Sequence, residues 1–201
     1  MDIDYINQEC DEKDDKKKEE GVSDKLLKTR TILLSDTIDK KLSQSIMSQL
    51  LLLEQDDPDK EIKMFINSPG GDADAGFAIL DMIRFIKPTV KTICAGVTAS
   101  AAVIVLLGSE KCQRFSLPNA RILIHQPSTG VQGTASDIQI EAGEILKCRE
   151  KINSLIAVET GQTLETVTSD TKRNLWMSAD ETLKYGLISK IIAKRGDIDQ
   201  E

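Results

Sequence analysis

A chain of 201 residues with 40% hydrophobic content can enclose one core, while a net charge of −7 and 3% aromatic residues disfavour nucleic acid, which demands basic surface and stacking platforms. The longest weakly polar stretch, residues 93–107, contains Thr98 and Ser100 and falls short of the roughly 20 residues a bilayer requires, so no membrane span is expected. The start MDIDYINQECDEKDD has neither the basic opening nor the apolar run of an export signal, and a cytoplasmic location is expected.

The run DEKDDKKKEE over residues 11–20 has nothing to bury, so residues 1–24 are expected to form a flexible charged arm, with the folded domain over 25–195 and a flexible tail over 196–201. RTILLSD then reads as a short strand. Ile38, Leu42, Ile46, Leu50 and Leu53 recur at helical spacing behind a Ser35/Asp36/Thr37 cap signal, and Asp57-Pro58 ends that helix. EIKMFINSPGG is a strand broken at Pro69-Gly70-Gly71, followed by a helix with Ala75, Ile79, Met82, Ile83 and Ile86 on its apolar face. VKTICAGV is the next strand and TASAAVIVLLGSE a buried helix. Strands around Phe115 and Ile122 precede a long helix over residues 136–160, stopped by Gly161. Leu164–Thr171 is a shorter helix, and Ser178 caps another that ends before Gly186. Cys10, Cys94, Cys112 and Cys148 show no CxxC spacing, so neither a zinc site nor a redox motif is expected. No internal repeat is visible, and the class is α/β with strand–helix units around parallel sheet.

Two strand-to-helix junctions and the single histidine carry chemistry. Backbone amides at Gly70-Gly71, unshielded by side chains, can approach a substrate oxygen as an oxyanion hole requires. Taken alone, these glycines are ordinary turn punctuation. Ser100, in AGVTASAA, stands at the first turn of the apolar helix, where the positive end of the dipole favours an alkoxide; taken alone it is equally a helix cap. His125 ends the run Ala120–Ile124 just before Pro127, at a strand rim. Together they supply an oxyanion donor, a nucleophile and a base.

The segments INSPGGDADAGFAILDMIRFIKP, TICAGVTASAA, RFSLPNARILIHQPSTG and NLWMSADETLKYGLI resemble the Clp protease proteolytic subunit family (ClpP), in order, from about Leu26 to Ile192. The resemblance implies a ClpP/crotonase-like fold of stacked ββα units with a protruding handle helix, here residues 136–160. It also implies a serine peptidase that hydrolyses unfolded polypeptides inside two stacked seven-membered rings. By position, Ser100 would be the nucleophile, His125 the general base, and the amides of Gly71 and Ala101 the oxyanion hole. The usual residue after the nucleophile is Met, but an amide donor does not need that side chain.

The third triad position departs from the family, since Asn174 stands after Arg173 where Asp is usual. Asn can hold an imidazole in place but cannot neutralise the imidazolium formed when His125 takes the serine proton, an exchange that costs about 10⁴-fold in turnover in another serine protease. The isolated chain is therefore expected to be a weak peptidase, with Asp170 a conceivable substitute acid. Lys172 replaces a usual acidic residue beside Arg173 at the ring–ring contact, which favours assembly with a different, paralogous subunit. The resemblance also places Phe65, Phe85, Phe115 and Leu117 at the apolar clefts that receive loops of a hexameric AAA+ unfoldase. ATP belongs to that partner: no GxxxxGK[ST] loop occurs here, and no cofactor or metal is expected. A silent structural subunit of the same chamber is the alternative, and a crotonase-like acyl-CoA enzyme a remote third, opposed by Ser100 and the HQP segment.

Overall fold

The computed structural model describes residues 21–198, so residues 1–20 of the expected arm and the last three residues of the expected tail lie outside the described part. Five parallel strands run in the order β1 (Thr31–Leu34), β2 (Ile62–Ser68), β3 (Val90–Ala99), β4 (Arg114–Ser116) and β7 (Lys190–Ile191). Strand β5 (Arg121–Ile124) also pairs in parallel with β3, and β6 (Leu175–Ser178) runs antiparallel to β5. This antiparallel strand is absent from the sequence reading. LWMS is short and lacks the apolar–polar alternation that marks a half-buried strand.

Strand β3 is long because it serves two partners. Its first half pairs with β4 through Thr92, Ile93 and Cys94, and its second half with β5 through Val97, Thr98 and Ala99. The change of partner falls at Gly96, whose φ of 79° and position 2.6 Å (as a notional Cβ) from Asn67 Oδ1 exclude a side chain.

Even-numbered residues of β1 and β2 (Ile32, Leu34, Ile62, Met64, Ile66) face the main core, covered by α2 (Lys40–Asp56), α3 (Ala73–Phe85) and α4 (Ala101–Leu106). The apolar spacing of α2 buries Ile46, Leu50 and Leu53 as expected, but its cap is Asp39, which accepts from the Leu42 amide at 2.7 Å, rather than the Ser35–Thr37 group. Arg30, buried at φ 53°, donates to the carbonyls of Leu53, Asp57, Lys60 and Glu61 and so satisfies the end of α2 and the loop beyond it. On the other face of the sheet Ile93, Phe115, Ile192 and Ile198 form a smaller cluster.

The chain order closes with α5 (Ala135–Thr160), α6 (Leu164–Asp170) and α7 (Ala179–Tyr185). Gly161 (φ 82°) ends α5 in the left-handed region, and the Ser178–Glu181 capping box opens α7. Helix α5 changes character along its length. Ile138 and Ile140 near its start are exposed, while Ile152 and Ile156 are buried, so the expected Ile138–Ile145–Ile152 stripe is core only at its far end.

Two boundaries differ from expectation. Helix α1 (Val22–Lys28) begins inside the expected arm, where three apolar residues after a long charged run gave too short a pattern to read. Residues 196–198, expected in the tail, belong to a 3₁₀ turn over Arg195–Ile198 that buries Ile198.

Candidate functional site

Three neighbouring parallel strands deliver the expected residues to one end of the sheet. Ser68 of β2 registers with Thr98 of β3, and Ala99 of β3 with Leu123 of β5, so the residues just past each strand converge: Gly70-Gly71, Ser100 and His125. That is the end of a parallel sheet where open crevices form. A cavity of about 510 Å³ there is lined by Gly71, Ser100, Ala101 and His125 together with residues of α3, α4 and α5.

Ser100 is the strained point. Its φ of 56° and ψ of −123° lie outside the regions open to ordinary side chains, and its amide is pinned to Leu123 O at 3.0 Å. Such a sharp strand-to-helix turn lifts a side chain out of the sheet, as in nucleophile elbows. Its hydroxyl makes no capping bond, and Ser100 precedes the first turn of α4 instead of occupying it. Ser100 thus holds the N-cap position of α4 without the side-chain bond that would give it a capping role. With only six residues, α4 contributes little dipole, and the backbone amides at its start carry the electropositive character.

The Gly70-Gly71 turn passes so close to this elbow that no side chain fits. A Cβ on Gly70 (φ 90°) would sit 2.5 Å from Ala99 O and 2.7 Å from Ser100 Cβ, and one on Gly71 (φ 151°) only 2.2 Å from Ile38 O. Two bonds of 2.8 Å hold the turn against Ile38, from Ile38 N to Gly70 O and from Asp72 N to Ile38 O. Both spare the Gly71 amide. Among the described residues no hydrogen bond uses the amides of Gly71 or Ala101, so both donors remain available at the cavity. Gly76 completes the approach by letting α3 pack on Ala101 O, 3.1 Å from where a Cβ would stand.

His125 is half-buried on the cavity wall, and its Nε2 is enclosed without a hydrogen-bond partner among the described residues. Ser100 and this ring nitrogen's residue line the same cavity, and no hydrogen bond joins the two side chains among the described residues. The antiparallel ladder ends at Ile124↔Leu175, so His125 and Asn174 are the next residues of their two strands just beyond it. Backbone contacts hold this junction, since Gln126 N donates to Thr171 O at 2.7 Å and Gln126 Nε2 to Lys172 O at 3.0 Å. Yet the Asn174 residue is exposed, its side chain makes no hydrogen bond among the described residues, and it does not line the cavity. Asp170 is committed elsewhere. Its Oδ2 accepts from Tyr185 OH at 2.9 Å, and burial together with this bond pushes the Tyr185 phenol up.

Sequence reasoning missed the far wall of the cavity. Phe77 of α3 lies under the ammonium of Lys151 from α5, 3.7 Å from the ring centroid, and Cys148, its thiol pushed up mainly by burial, lies alongside. No signal in the sequence joins residues 77 and 151, because their contact depends on how α5 crosses α3. Among the described residues no group of His, Cys, Asp and Glu side chains is arranged to hold a metal ion, and no helix is long and apolar enough to cross a membrane.

The four expected docking residues separate. Phe65 and Leu117 line a second cleft of about 590 Å³ on the opposite sheet face, with Leu26, Leu33, Ile192 and Ile198. Phe115 is buried beneath it, 6% exposed, and Phe85 is 78% exposed at the end of α3, away from the cleft. Lys172 and Arg173 are both exposed in the turn before β6.

A profile of the family described as Clp protease matches residues 14–195. The ATP-dependent Clp protease proteolytic subunit 2 of Treponema denticola is 50% identical over 200 residues, covering 99% of this chain and all of that protein. The subunit of the same description from Treponema pallidum is 51% identical over 177 residues, covering 88% of this chain and 89% of its own. Among solved structures, an Asn-to-Asp mutant of ClpP1 from Listeria monocytogenes superposes with a TM-score of 0.81 at 46% identity, covering 88% of this chain and 98% of that one.

Proposed function

The chain belongs to the Clp protease family and is a proteolytic subunit by its relatives, and from that premise we propose a Ser–His peptidase whose own turnover is held low by Asn174. The observation that carries this reading is the Ser100 elbow, strained at φ 56° between the two unused amides of Gly71 and Ala101. In the reaction, His125 Nε2 takes the proton as Ser100 Oγ attacks the peptide carbonyl. The negative charge that develops on the carbonyl oxygen falls to the Gly71 and Ala101 amides. The protonated imidazole then donates to the leaving amine, and water repeats the sequence on the acyl-enzyme.

Asn174, just beyond the Ile124↔Leu175 pair, supplies no charge to stabilise the imidazolium. The subunit therefore works in a mixed assembly of two stacked heptameric rings with a paralogue carrying the complete triad. Lys172 and Arg173 face the partner ring there, unfolded polypeptide enters from a hexameric AAA+ unfoldase that consumes the ATP, and the location is the cytoplasm. The 510 Å³ cavity and its Phe77–Lys151 wall would hold the substrate side chains next to the scissile bond.

A second reading, a silent structural subunit, draws on the exposed, unbonded Asn174 and the unpartnered His125 Nε2. Peptidase assays of the chain alone and with its paralogue, beside Asn174→Asp, test both. The variant is expected to raise turnover of the isolated chain by up to about 10⁴-fold. Equal turnover of native chain and variant would overturn the argument from Asn174. Ser100→Ala in the mixed complex separates the readings, because it lowers activity beyond the paralogue's own share only if this chain hydrolyses peptide.

A further inference from the structure

His125 rides on a span of backbone that is fastened at both ends. On one side Leu123 O accepts from the Ser100 amide at 3.0 Å, which ties the strand to the elbow. On the other the Gln126 amide donates to Thr171 O at 2.7 Å, and the Gln126 side chain to Lys172 O at 3.0 Å. Pro127 follows and carries no N–H, so the Gln126 amide is the last backbone donor before the chain turns. Neither His125 Nε2 nor the Asn174 side chain has a hydrogen-bond partner among the described residues. The place of the ring is therefore set by the backbone that carries it.

Thr171 is itself held from α5. Buried at 1% exposure, its hydroxyl sits 3.0 Å from Asn153 Oδ1 and 2.8 Å from Val167 O and shares its proton between these two acceptors. Asn153, 3% exposed, donates in turn from Nδ2 to Thr168 Oγ1 at 3.4 Å. Val167 O already receives the Thr171 amide at 2.9 Å, so α6 does not need the hydroxyl to satisfy that carbonyl. The bond to Asn153 is what the hydroxyl adds. For stability alone this pair has no advantage, because two apolar side chains of the same shape pack in such a place about as well. What apolar packing lacks is direction, since a hydrogen bond holds to a narrow range of distance and angle. A continuous path thus runs from the Asn153 amide through the Thr171 hydroxyl and carbonyl to the Gln126 N–H and the residue before it, His125.

We propose that Asn153 is a positioning residue for His125, acting through Thr171 and the Gln126 amide to keep the imidazole where it can take the Ser100 proton. Its catalytic part rests on the Ser–His reading above and deepens it. Full-length chains are compared with and without Asn174→Asp. In Asn153→Leu/Thr171→Val both partners become apolar, so the urea midpoint is expected to match the parent's. Its kcat is expected to fall about 10- to 100-fold with KM within about twofold, because the base is displaced and the substrate's binding surface is not. Thr171→Ser keeps the hydroxyl and is expected to keep the parental kcat. Hydrogen exchange read by mass spectrometry needs no substrate: the Gln126 amide is expected to exchange faster in the double variant and at the parental rate in Thr171→Ser. Parental kcat or parental Gln126 exchange in the double variant would overturn the proposal, as would a loss carried by KM or an equal loss in Thr171→Ser. If the double variant does not fold, Thr171→Val against Thr171→Ser makes the same comparison. If Ser100→Ala turns over peptide as fast as its parent, the Ser–His reading fails, and Gln126 exchange alone then decides whether Asn153 holds the His125 segment.

Discussion

The two faces of the sheet solve opposite problems. On the α2–α4 face, Ile32, Leu34, Met64 and Ile66 are fully buried, and the turn at Gly70-Gly71 has no room for a single added carbon. On the other face, α1 and the 195–198 turn are too short to roof the floor, and Leu33 and Phe65 stay partly open. The first face thus fixes the geometry around Ser100 within one chain. The second leaves an apolar surface partly open. Substitutions on the first face should damage fold and chemistry together, and on the second neither until a partner is present.

The largest effect expected on the first face is chemical. In an Asn174→Asp background, Ser100→Ala should remove peptide hydrolysis by about 10⁴-fold or more while leaving the fold intact, read by single-turnover assay beside circular dichroism. Residual turnover near the parent value would show that the elbow serine is not the nucleophile. The strain at φ 56° adds a second readout, since Ser100→Gly should be more stable than Ser100→Ala by about 1 kcal/mol in urea titration. Gly71→Ala comes next, because its Cβ would meet Ile38 O at 2.2 Å. A loss of more than about 3 kcal/mol is expected, and a variant as stable as the parent would break the claim that steric fit fixes this turn.

What could be read from the sequence follows the same division. The buried helices α2 and α3 and the Pro69-Gly70-Gly71 break were legible because apolar periodicity and glycine act locally. Ser100, His125 and Gly71 are legible in the sequence singly and through a family pattern, but their convergence lives in the registers of β2, β3 and β5, which no local pattern encodes. The same holds for Phe77 and Lys151, joined only by helix crossing. Helix α1 and the 195–198 turn escaped because short elements are specified by what they pack on, here the floor around Phe65 and Ile198. Asn174 was legible as a departure, while the exposure of its side chain was not.

Arg30→Ala tests the first face at its margin. Arg30 is 5% exposed and bonds four carbonyls at the end of α2 and in its following loop, and its removal should cost about 3 kcal/mol of stability in denaturant titration. A cost below about 1 kcal/mol would mean that water replaces it without loss. Asp170→Asn should cost about 1 kcal/mol through Tyr185 and leave turnover unchanged. A marked fall in turnover would revive Asp170 as the acid behind His125. The phenol gives this pair a pH signature. Because its folded pKa is raised above the ordinary 10, its contribution is full below pH 10 and fades as pH climbs from there toward the folded value, so native stability should fall in that alkaline window more steeply than in Tyr185→Phe.

The smallest effect on the isolated chain is expected on the open face. Leu33→Ser removes an apolar side chain that is already 49% exposed, so folding should lose less than about 0.5 kcal/mol, within the range of ordinary surface changes. The adjoining core is insulated from the change, because Ile32 and Leu34 point to the opposite face and are fully buried. The same substitution places a hydroxyl on the floor shared with Phe65 and Leu117, where any docked apolar side chain would leave it dry. On the proposed reading that an unfoldase docks here on a mixed complex, stimulated proteolysis should fall several-fold, about 1 kcal/mol of docking free energy, while hydrolysis of short peptides stays constant. If Leu33→Ser instead destabilises the chain by more than about 2 kcal/mol, the open face is part of the core and the contrast between the two faces fails.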